Sequence, residues 1–228
     1  MLNASAAIFD TDGTLIDTTK RFYTVFCSMI KERGQEPLEW SEFFKHYSED
    51  TLDEIISREA ENREEELCDF WLEFLKRYRS IPIPDDYLIE DADVILEKIS
   101  DAGAKIAVTT SCIIPPPKLE EELEDYGLMK HVDVVVTGEN VIEDLVETHH
   151  FSKREIFEVA LSELEVKPED SVIIGDYWND VKAGKELGAK TIAVLTGDMK
   201  PEILEDLEPD AILESVGDLF SVVKFSAT

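Results

Sequence analysis

The sequence predicts an α/β fold: a parallel sheet with helices on both faces, divided near its start by an insertion of helices. Two patterns lead to this fold class. From about residue 87 onward, short apolar runs typical of buried strands alternate with segments of helical spacing. Before that point, one strand-like run at 6–9 is followed by helical patterning over 17–84. We therefore expect a Rossmann-like α/β core domain of residues 1–16 and 85–228 and an all-helical cap domain of residues 17–84.

The inserted block is predicted as four helices. Apolar residues recur at helical spacing in the segments 18–33, 38–47, 51–60 and 61–78. Gly34 is expected to end the first helix, while Ser41 and Asp50 are candidate N-caps of the next two. The fourth helix carries an apolar stripe predicted to face the core: Leu67, Phe70, Trp71, Phe74 and Leu75. The Ile-Pro-Ile-Pro sequence at 81–84 cannot continue a helix and is predicted as a connector.

The remaining elements alternate between helix and strand. Strands are predicted at 105–109, 132–136, 171–174, 191–194 and 211–213. Helices are predicted at 92–102, 119–126, 152–163 and 180–187, and three of them are closed by Gly103, Gly127 and Gly188. Strands joined through helices indicate a parallel sheet, whose carboxyl ends lie at one edge.

The charge balance excludes some partners. The chain has 22 lysines and arginines against 52 aspartates and glutamates, a formal net charge of -30. Nucleic acid and an anionic membrane surface are therefore not expected as partners, because no basic surface is available to neutralise phosphates. Salt screens such repulsion beyond about 8 Å at physiological ionic strength, so a local cation can still recruit a small phosphorylated substrate.

Cysteine usage and hydropathy favour a cytoplasmic protein. Cys27, Cys68 and Cys112 are odd in number and widely spaced, which suggests neither a disulfide framework nor a metal cluster. No signal peptide is recognisable at the N-terminus, and no apolar stretch approaches the roughly 18 residues of a membrane span. The sequence leaves the choice between monomer and homodimer open.

The most informative stretch is 8–17. Its apolar run stops at Asp10, a second carboxylate follows at Asp12, and Gly13 allows the chain to turn. Carboxylates at the exposed end of a parallel strand can bind a hard cation such as Mg²⁺, act as a nucleophile or move a proton. Taken alone, the tetrapeptide Asp-Thr-Asp-Gly is equally consistent with a solvated turn.

Two later strand ends carry similar chemistry. The strand at 105–109 runs into Thr110 and Ser111, whose hydroxyls can hydrogen-bond a phosphate oxygen. The strand at 171–174 ends at a glycine and Asp176, and Asp180 follows one helical turn later. Since the carboxyl ends of parallel strands share an edge, we expect these groups to meet near Asp10.

The string Asp-Thr-Asp-Gly-Thr-Leu at 10–15 resembles the first motif of the haloacid dehalogenase-like (HAD) superfamily, most of whose members are phosphatases. The Gly-Asp and later Asp at 175–180 resemble its fourth motif, and the resemblance covers 6–17 and about 87–195. It implies that Asp10 is the nucleophile and Asp12 the general acid and base. It also implies that a hydroxyl at the second strand end binds the phosphate: Thr110 is the best match, and Thr109 and Ser111 are the alternatives. The implied magnesium set is Asp10, Asp12, Asp176 and Asp180.

The third motif of this superfamily supplies a lysine, commonly within Gly-Lys-Pro before a helix. The chain departs from that pattern, with Ser152-Lys153-Arg154 at the corresponding place. Lys153 is the best match for the phosphate-binding cation, and Arg154 is the rival. The adjacent His149 and His150 lack the spacing of a helical metal site and are expected to be solvated loop residues.

The function predicted from the resemblance is a magnesium-dependent phosphohydrolase that acts on a small phosphorylated metabolite through an aspartyl phosphate. A sugar phosphomutase of the same superfamily uses the same four motifs and is the alternative. Dehalogenase and phosphonatase branches fit less well because they lack the second aspartate, which is Asp12 here. A phospho-accepting signalling domain is a third alternative, against which the long helical insertion argues. Specificity is expected to reside in the cap, so the substrate is not predicted.

Overall fold

A computed structural model describes residues 1–56, 63–80, 85–142 and 152–227. The predicted connector at 81–84 and both histidines of the 149–150 pair lie outside the described residues. Ten strands are present in the described ranges: β1 Leu2–Ala4, β2 Ala6–Asp10, β3 Ile16–Asp17, β4 Tyr87–Leu88, β5 Lys105–Thr110, β6 Val134–Thr137, β7 Ser171–Gly175, β8 Lys190–Val194, β9 Ala211–Leu213 and β10 Val223–Phe225.

Helices follow most of the predicted segments. Their bounds are α1 Thr19–Glu32, α2 Trp40–Ser48, α3 Asp53–Ile56, α4 Arg63–Arg77, α5 Ala92–Asp101, α6 Pro116–Asp125, α7 Arg154–Leu164, α8 Trp178–Leu187 and α9 Pro201–Glu205. The last of these, a helix of 5 residues, was not predicted.

Three helix boundaries differ from the predictions for local reasons. The predicted N-cap Ser41 is wrong, because α2 already begins at Trp40 and Glu39 occupies the capping position. Asp50 is also wrong as a cap, since it lies before a turn at φ 55° and α3 begins only at Asp53. Helix α6 begins at Pro116, where the fixed φ of proline suits the first turn.

The centre of the fold is a six-stranded parallel sheet in the order β6-β5-β2-β7-β8-β9. Strand β2 lies in the middle, with Phe9 opposite Val108 of β5 and opposite Ile174 of β7. Side chains of β2 alternate between the two faces. Ala7 and Phe9 pack into one core with α5 and α6, whereas Ala6 and Ile8 pack into a second core with α7. The predicted α/β fold class with a parallel sheet is confirmed.

The helices α1–α4, here called the helical block, are inserted between β3 and β4. These two short strands pair antiparallel, with Ile16 opposite Leu88 and Asp17 opposite Tyr87. The chain therefore enters and leaves the block side by side, directly above the carboxyl edge of the sheet. Phe70 and Phe74 of the predicted stripe are buried, while Leu67, Trp71 and Leu75 are half-buried. The division into two domains stays a prediction.

Two small features complete the described architecture. Strands β1 and β10 form a separate parallel pair that joins the two ends of the described chain, and neither strand was predicted. Of the helices that the structure describes, none has the length and apolar character needed to cross a membrane.

Candidate active site

The site begins where three neighbouring strands end. Strand β2 ends at Asp10, β5 ends at Thr110, and β7 ends one residue before Asp176. Because the register sets Asp10 beside Thr109 and Phe9 beside Ile174, these ends lie level with one another. The parallel sheet thus brings the predicted site residues together at its carboxyl edge.

Three carboxylates form a buried cluster at this edge. Asp10, Asp176 and Asp180 each offer an oxygen, and the three oxygens lie within 4.8 Å of one another. Their residues are 5%, 5% and 1% exposed, respectively. Asp180 reaches the cluster from the first turn of α8, where its Oδ2 accepts a hydrogen bond from the backbone N–H of Tyr177 at 3.1 Å. We call these three residues the acid cluster.

Asp176 is held in place by its surroundings. The Thr14 hydroxyl donates to Asp176 Oδ1 at 2.7 Å. A Cβ atom added to Gly197 would lie 1.8 Å from Asp176 Oδ2, and one added to Gly13 would lie 2.5 Å from it. Gly13 also has φ 78°, a conformation that favours glycine. The backbone therefore closes around this carboxylate, and no side chain can take the space between them.

Lys153 supplies the positive charge of the cluster. It lies directly before α7, and its Nζ is 2.8 Å from Asp10 Oδ1 and 2.6 Å from Asp180 Oδ1. Arg154 is exposed and pairs instead with Glu158 on its own helix at 3.0 Å. Of the two cations that the sequence left open, the structure brings Lys153 to the acid cluster and leaves Arg154 at the surface.

Burial makes this concentration of charge unfavourable without a cation. Burial raises the pKa of Asp10 from 3.8 to about 7, and Lys153 opposes that shift only in part. Burial and the neighbouring Asp10 also raise the pKa of Asp176 well above its ordinary value. Burial disfavours the charged form of Lys153, but the carboxylates of Asp10 and Asp180 outweigh it and raise the pKa of the ammonium. The three carboxylates thus have one ammonium group among them, and it is paired with Asp10 and Asp180.

The acid cluster suits a divalent hard cation. Its donors are carboxylate oxygens, the ligands that Mg²⁺ takes in proteins, and they converge from two strand ends and one helix. A bound cation would also offset the repulsion that raises the pKa of Asp10 and Asp176. The donor set, its burial and its excess negative charge therefore fit magnesium.

The Asp12 carboxylate lies outside the acid cluster. Of the four predicted metal ligands, the structure therefore brings together Asp10, Asp176 and Asp180. Arg79 Nη2 donates to Asp12 Oδ1 at 2.6 Å, and the Thr18 hydroxyl donates to the same oxygen at 3.0 Å. Although burial opposes ionisation, Arg79 and then Arg21 lower the pKa of Asp12. Its side chain is therefore ionised and directed toward the helical block.

The two predicted phosphate-binding hydroxyls lie beside Asp12. The Thr110 hydroxyl donates to Asp12 Oδ2 at 3.1 Å and accepts the backbone N–H of Cys112 at 3.2 Å. Ser111 is half-buried and lines the same cavity as Thr110. Thr109 differs, because its hydroxyl donates to the Phe9 carbonyl within the sheet at 3.0 Å. Thr110 and Ser111 thus line the cavity at this strand end, and Thr110 would exchange its hydrogen bond to Asp12 for one to a phosphate oxygen.

Sequence reasoning missed a buried ion-pair network behind Asp12. Arg79, at the end of the helical block, pairs with both Asp12 and Glu122 of α6. Arg21 of α1 reaches Glu122 at 3.1 Å and Asp86 at 2.5 Å. These contacts join the helical block, the first motif and the core. Thr14 was also missed, although its place directly after the Asp-x-Asp-Gly turn was a usable signal.

A cavity of about 320 Å³ opens above the acid cluster. Its floor contains Asp10, Asp176 and Lys153, and its walls come from the helical block and the start of α8. The reactive groups are therefore reached from a space that the inserted helices enclose.

Fold and site together define an α/β enzyme with an acidic centre at the carboxyl edge of a parallel sheet. The family described as Haloacid dehalogenase-like hydrolase matches residues 7–194, a span that contains the whole acid cluster and Lys153. The chain belongs to this family. The family membership predicted from the motifs is confirmed, and the chain is a hydrolase of the phosphatase type.

Relatives of known name match over nearly their full length. The "Putative pyrophosphatase PpaX" of Clostridium perfringens is 30% identical over 225 residues, which cover 96% of this chain and 97% of the relative. Pyrophosphatase PpaX of Bacillus mycoides is 25% identical, covering 97% of this chain and 98% of its own. A haloacid dehalogenase-like family hydrolase from Streptococcus pneumoniae superposes with a TM-score of 0.73 at 19% identity, covering 96% and 97% of the two chains. This last likeness concerns the fold alone.

Proposed function

We propose that the protein is a magnesium-dependent phosphohydrolase that cleaves a small phosphate monoester through a phosphorylated Asp10. The observation that carries the proposal is the acid cluster with Lys153, buried at the carboxyl edge of the sheet beneath a cavity. Membership of the hydrolase family supports the reaction class. The helical block then acts as the cap domain, and the substrate is a small phosphorylated metabolite of the cytoplasm.

Asp10 is the nucleophile because it combines position with reactivity. It ends the central strand, faces the cavity and lies within ion-pair distance of Lys153 at 2.8 Å. Its carboxylate oxygen forms a bond to phosphorus while the bond from phosphorus to the alcohol oxygen breaks. Water then attacks the same phosphorus, the bond to Asp10 breaks, and inorganic phosphate leaves.

Magnesium would be held by the carboxylates of Asp10 and Asp176, with Asp180 close by. When bound, it supplies positive charge that offsets the repulsion between these carboxylates and an incoming phosphate. Lys153 adds an ammonium group held by Asp10 and Asp180, and the hydroxyls of Thr110 and Ser111 would donate to phosphate oxygens. Catalysis of phosphoryl transfer rests mainly on such positioning and charge stabilisation.

Asp12 is proposed as the group that moves the proton. It lies two residues beyond Asp10 and lines the same cavity. In the first step the protonated carboxyl, the minor form beside Arg79, gives its proton to the alcohol oxygen that leaves phosphorus. In the second step the resulting carboxylate takes a proton from the attacking water, which restores the carboxyl. The ionised form that Arg79 stabilises is the form required for the second step.

The test is a screen of phosphorylated metabolites for phosphate release, with magnesium and with excess chelator. Asp10→Asn is the matched variant, because it is nearly isosteric and its amide cannot attack phosphorus. We expect magnesium-dependent release of inorganic phosphate by the native enzyme and less than a few per cent of it by the variant. A phosphate returned to another hydroxyl of the substrate would instead identify a phosphomutase. Full activity in chelator, or in Asp10→Asn, would contradict the proposal.

A further inference from the structure

The cavity above the acid cluster has two chemically different ends. At its floor, the groups proposed to handle the phosphate are carboxylates, hydroxyls and one ammonium group. Its walls and mouth come mainly from the helical block, and they face the part of the substrate that leaves phosphorus. The composition of these walls therefore bears on which alcohol the site accepts.

Aromatic rings form most of one wall. Phe22 lies at its centre, with ring centroids 4.5 Å from Phe74, 5.0 Å from Tyr47 and 6.0 Å from Trp71. All four rings line the cavity, and Leu52 and Leu67 extend the apolar surface. Such rings hold one another in fixed orientations and favour a flat apolar group, or a cation placed over a ring face.

Among the described residues, the charged side chains that the helical block contributes to the cavity are acidic. Asp50, Asp53 and Glu64 line the cavity on the side of the helical block. The Trp71 indole N–H donates to Asp53 Oδ1 at 2.7 Å, and the Tyr177 hydroxyl donates to Asp50. Among the described residues that line the cavity, Lys153 is the one basic side chain, and it is already paired with Asp10 and Asp180.

These surroundings oppose a leaving group with negative charge. A second phosphate or a carboxylate on the alcohol would meet aromatic rings and three carboxylates, with no described lysine or arginine of the helical block lining the cavity. Opposite charges across a binding surface favour a partner, and like charges disfavour it. Pyrophosphate, the compound on which a pyrophosphatase such as the Bacillus mycoides relative acts by name, has an anionic leaving group of this kind.

We propose that the substrate is the phosphate monoester of an aromatic alcohol that carries a positive charge, selected by the aromatic wall and by Asp50, Asp53 and Glu64. This inference rests on the proposed phosphohydrolase function and adds the substrate class to it. The phosphate binds over the acid cluster with its metal, the aromatic body packs against Phe22 and its neighbours, and the cationic end points to the acidic mouth.

The test compares benzyl phosphates whose para substituents differ in charge. Benzyl phosphate, 4-(aminomethyl)benzyl phosphate and 4-carboxybenzyl phosphate share one leaving group geometry, and pyrophosphate completes the set. We expect kcat/KM for the ammonium substrate to exceed that for the carboxylate substrate by about tenfold or more, with benzyl phosphate between them. Added salt should narrow this difference, because the mouth is open to solvent.

Charge reversal on α4 tests the source of the preference. Glu64→Lys changes an exposed residue at the cavity mouth, while Glu65→Lys makes the same change on the next residue, which does not line the cavity. We expect Glu64→Lys to reduce the ammonium-to-carboxylate ratio of kcat/KM at least about threefold. Glu65→Lys should leave the ratio unchanged, which controls for the net charge of the protein.

The outcomes separate this inference from the proposed function. Hydrolysis of 4-carboxybenzyl phosphate or pyrophosphate at least as efficiently as the ammonium substrate would overturn the inference and leave the phosphohydrolase function standing. Equal effects of Glu64→Lys and Glu65→Lys would also overturn it. Failure to hydrolyse every phosphate ester, in the presence of magnesium, would overturn both.

Discussion

Without magnesium, the native state should lose stability as the pH rises through the range in which Asp10 ionises. Burial raises the pKa of Asp10 from 3.8 to about 7, so the folded state holds a proton that the unfolded chain releases. A state that binds more protons is stabilised at low pH. The contribution is therefore present below about pH 4 and lost progressively as the pH approaches 7.

The magnitude follows from the size of the shift. Moving from 3.8 to about 7 is a change of about three pKa units, and each unit corresponds to about 1.4 kcal/mol. Ionised Asp10 thus costs the metal-free native state on the order of 4 kcal/mol above neutral pH, a large share of the roughly 5–15 kcal/mol stability of a typical domain. Magnesium should reverse the loss, because it binds the ionised cluster of the native state alone.

The assay is urea unfolding at pH 5, 6, 7 and 8, in chelator and in saturating magnesium. The quantity compared is the free energy of unfolding, and the stabilisation by magnesium should grow with pH. Asp10→Asn removes one titrating group and should reduce the pH dependence measured in chelator, while Asp176, whose pKa burial also raises, retains part of it. Asp69→Asn removes the same charge from an exposed position on α4 and should leave that dependence as it is.

Two results would refute this reasoning. One is a free energy of unfolding that stays level or increases between pH 5 and 8 in chelator, relative to Asp10→Asn. The other is stabilisation by magnesium of equal size at pH 5 and pH 8. Either result would show that ionisation of the buried acid cluster does not destabilise the metal-free protein.

Three further predictions concern residues around Asp10. Lys153→Met should abolish turnover, and Lys153→Arg should recover little of it, because the buried ammonium fits between two carboxylates. The measurement is steady-state hydrolysis of benzyl phosphate, and activity of the Met variant near the native level would contradict this role of Lys153. Arg79→Met should lower the free energy of unfolding by about 3 kcal/mol, because it removes a buried guanidinium and leaves two half-buried carboxylates without it. The exposed Arg77→Met should cost at most about 1 kcal/mol, and equal urea midpoints for the two would refute the difference. Asp12→Asn should slow hydrolysis of an alkyl phosphate about 10²–10⁴-fold more than it slows release of nitrophenol from nitrophenyl phosphate, measured by stopped flow. Equal slowing of both substrates would show that Asp12 merely shapes the turn.

The parts of the site that depend on local sequence were predictable. Asp10 and Asp176 each follow a buried apolar run, and the rule that parallel strands share a carboxyl edge is enough to expect them together. The sheet order places β2 beside β7, and this brings the carboxylate oxygens of Asp10 and Asp176 within 4.8 Å of each other in a buried position. Fold class followed from the same strand-helix alternation.

The parts that depend on distant contacts were not predictable. Arg79 is 67 residues from Asp12 and 43 from Glu122 along the chain, and no local pattern marks it as their partner. The choice between Lys153 and Arg154 depended on where α7 begins, because adjacent residues at the start of a helix point in different directions, here one buried and the next exposed. Helix ends vary by one or two residues, and Ser41 was misassigned because α2 begins at Trp40 without a side-chain cap.

The cavity wall illustrates a further limit. The apolar stripe of α4 was predicted to face the core, and Phe70 and Phe74 are indeed buried. Trp71 belongs to the same stripe, yet it lines the cavity as well as packing against Phe74 at 5.3 Å. Helical periodicity identifies an apolar face but does not say whether that face meets protein or an open cavity.

The most direct test of the central claim is to isolate the enzyme with phosphate on Asp10. Asp12→Asn should slow release of the phosphate from Asp10, because no carboxylate is then available to activate water. Mixing this variant with nitrophenyl phosphate and magnesium, quenching in acid and sequencing peptides by mass spectrometry should show phosphate on Asp10. The same experiment with Asp10→Asn is the control and should show none. Turnover by the native enzyme with no covalent phosphate trapped in Asp12→Asn, or with phosphate on another residue, would contradict the mechanism.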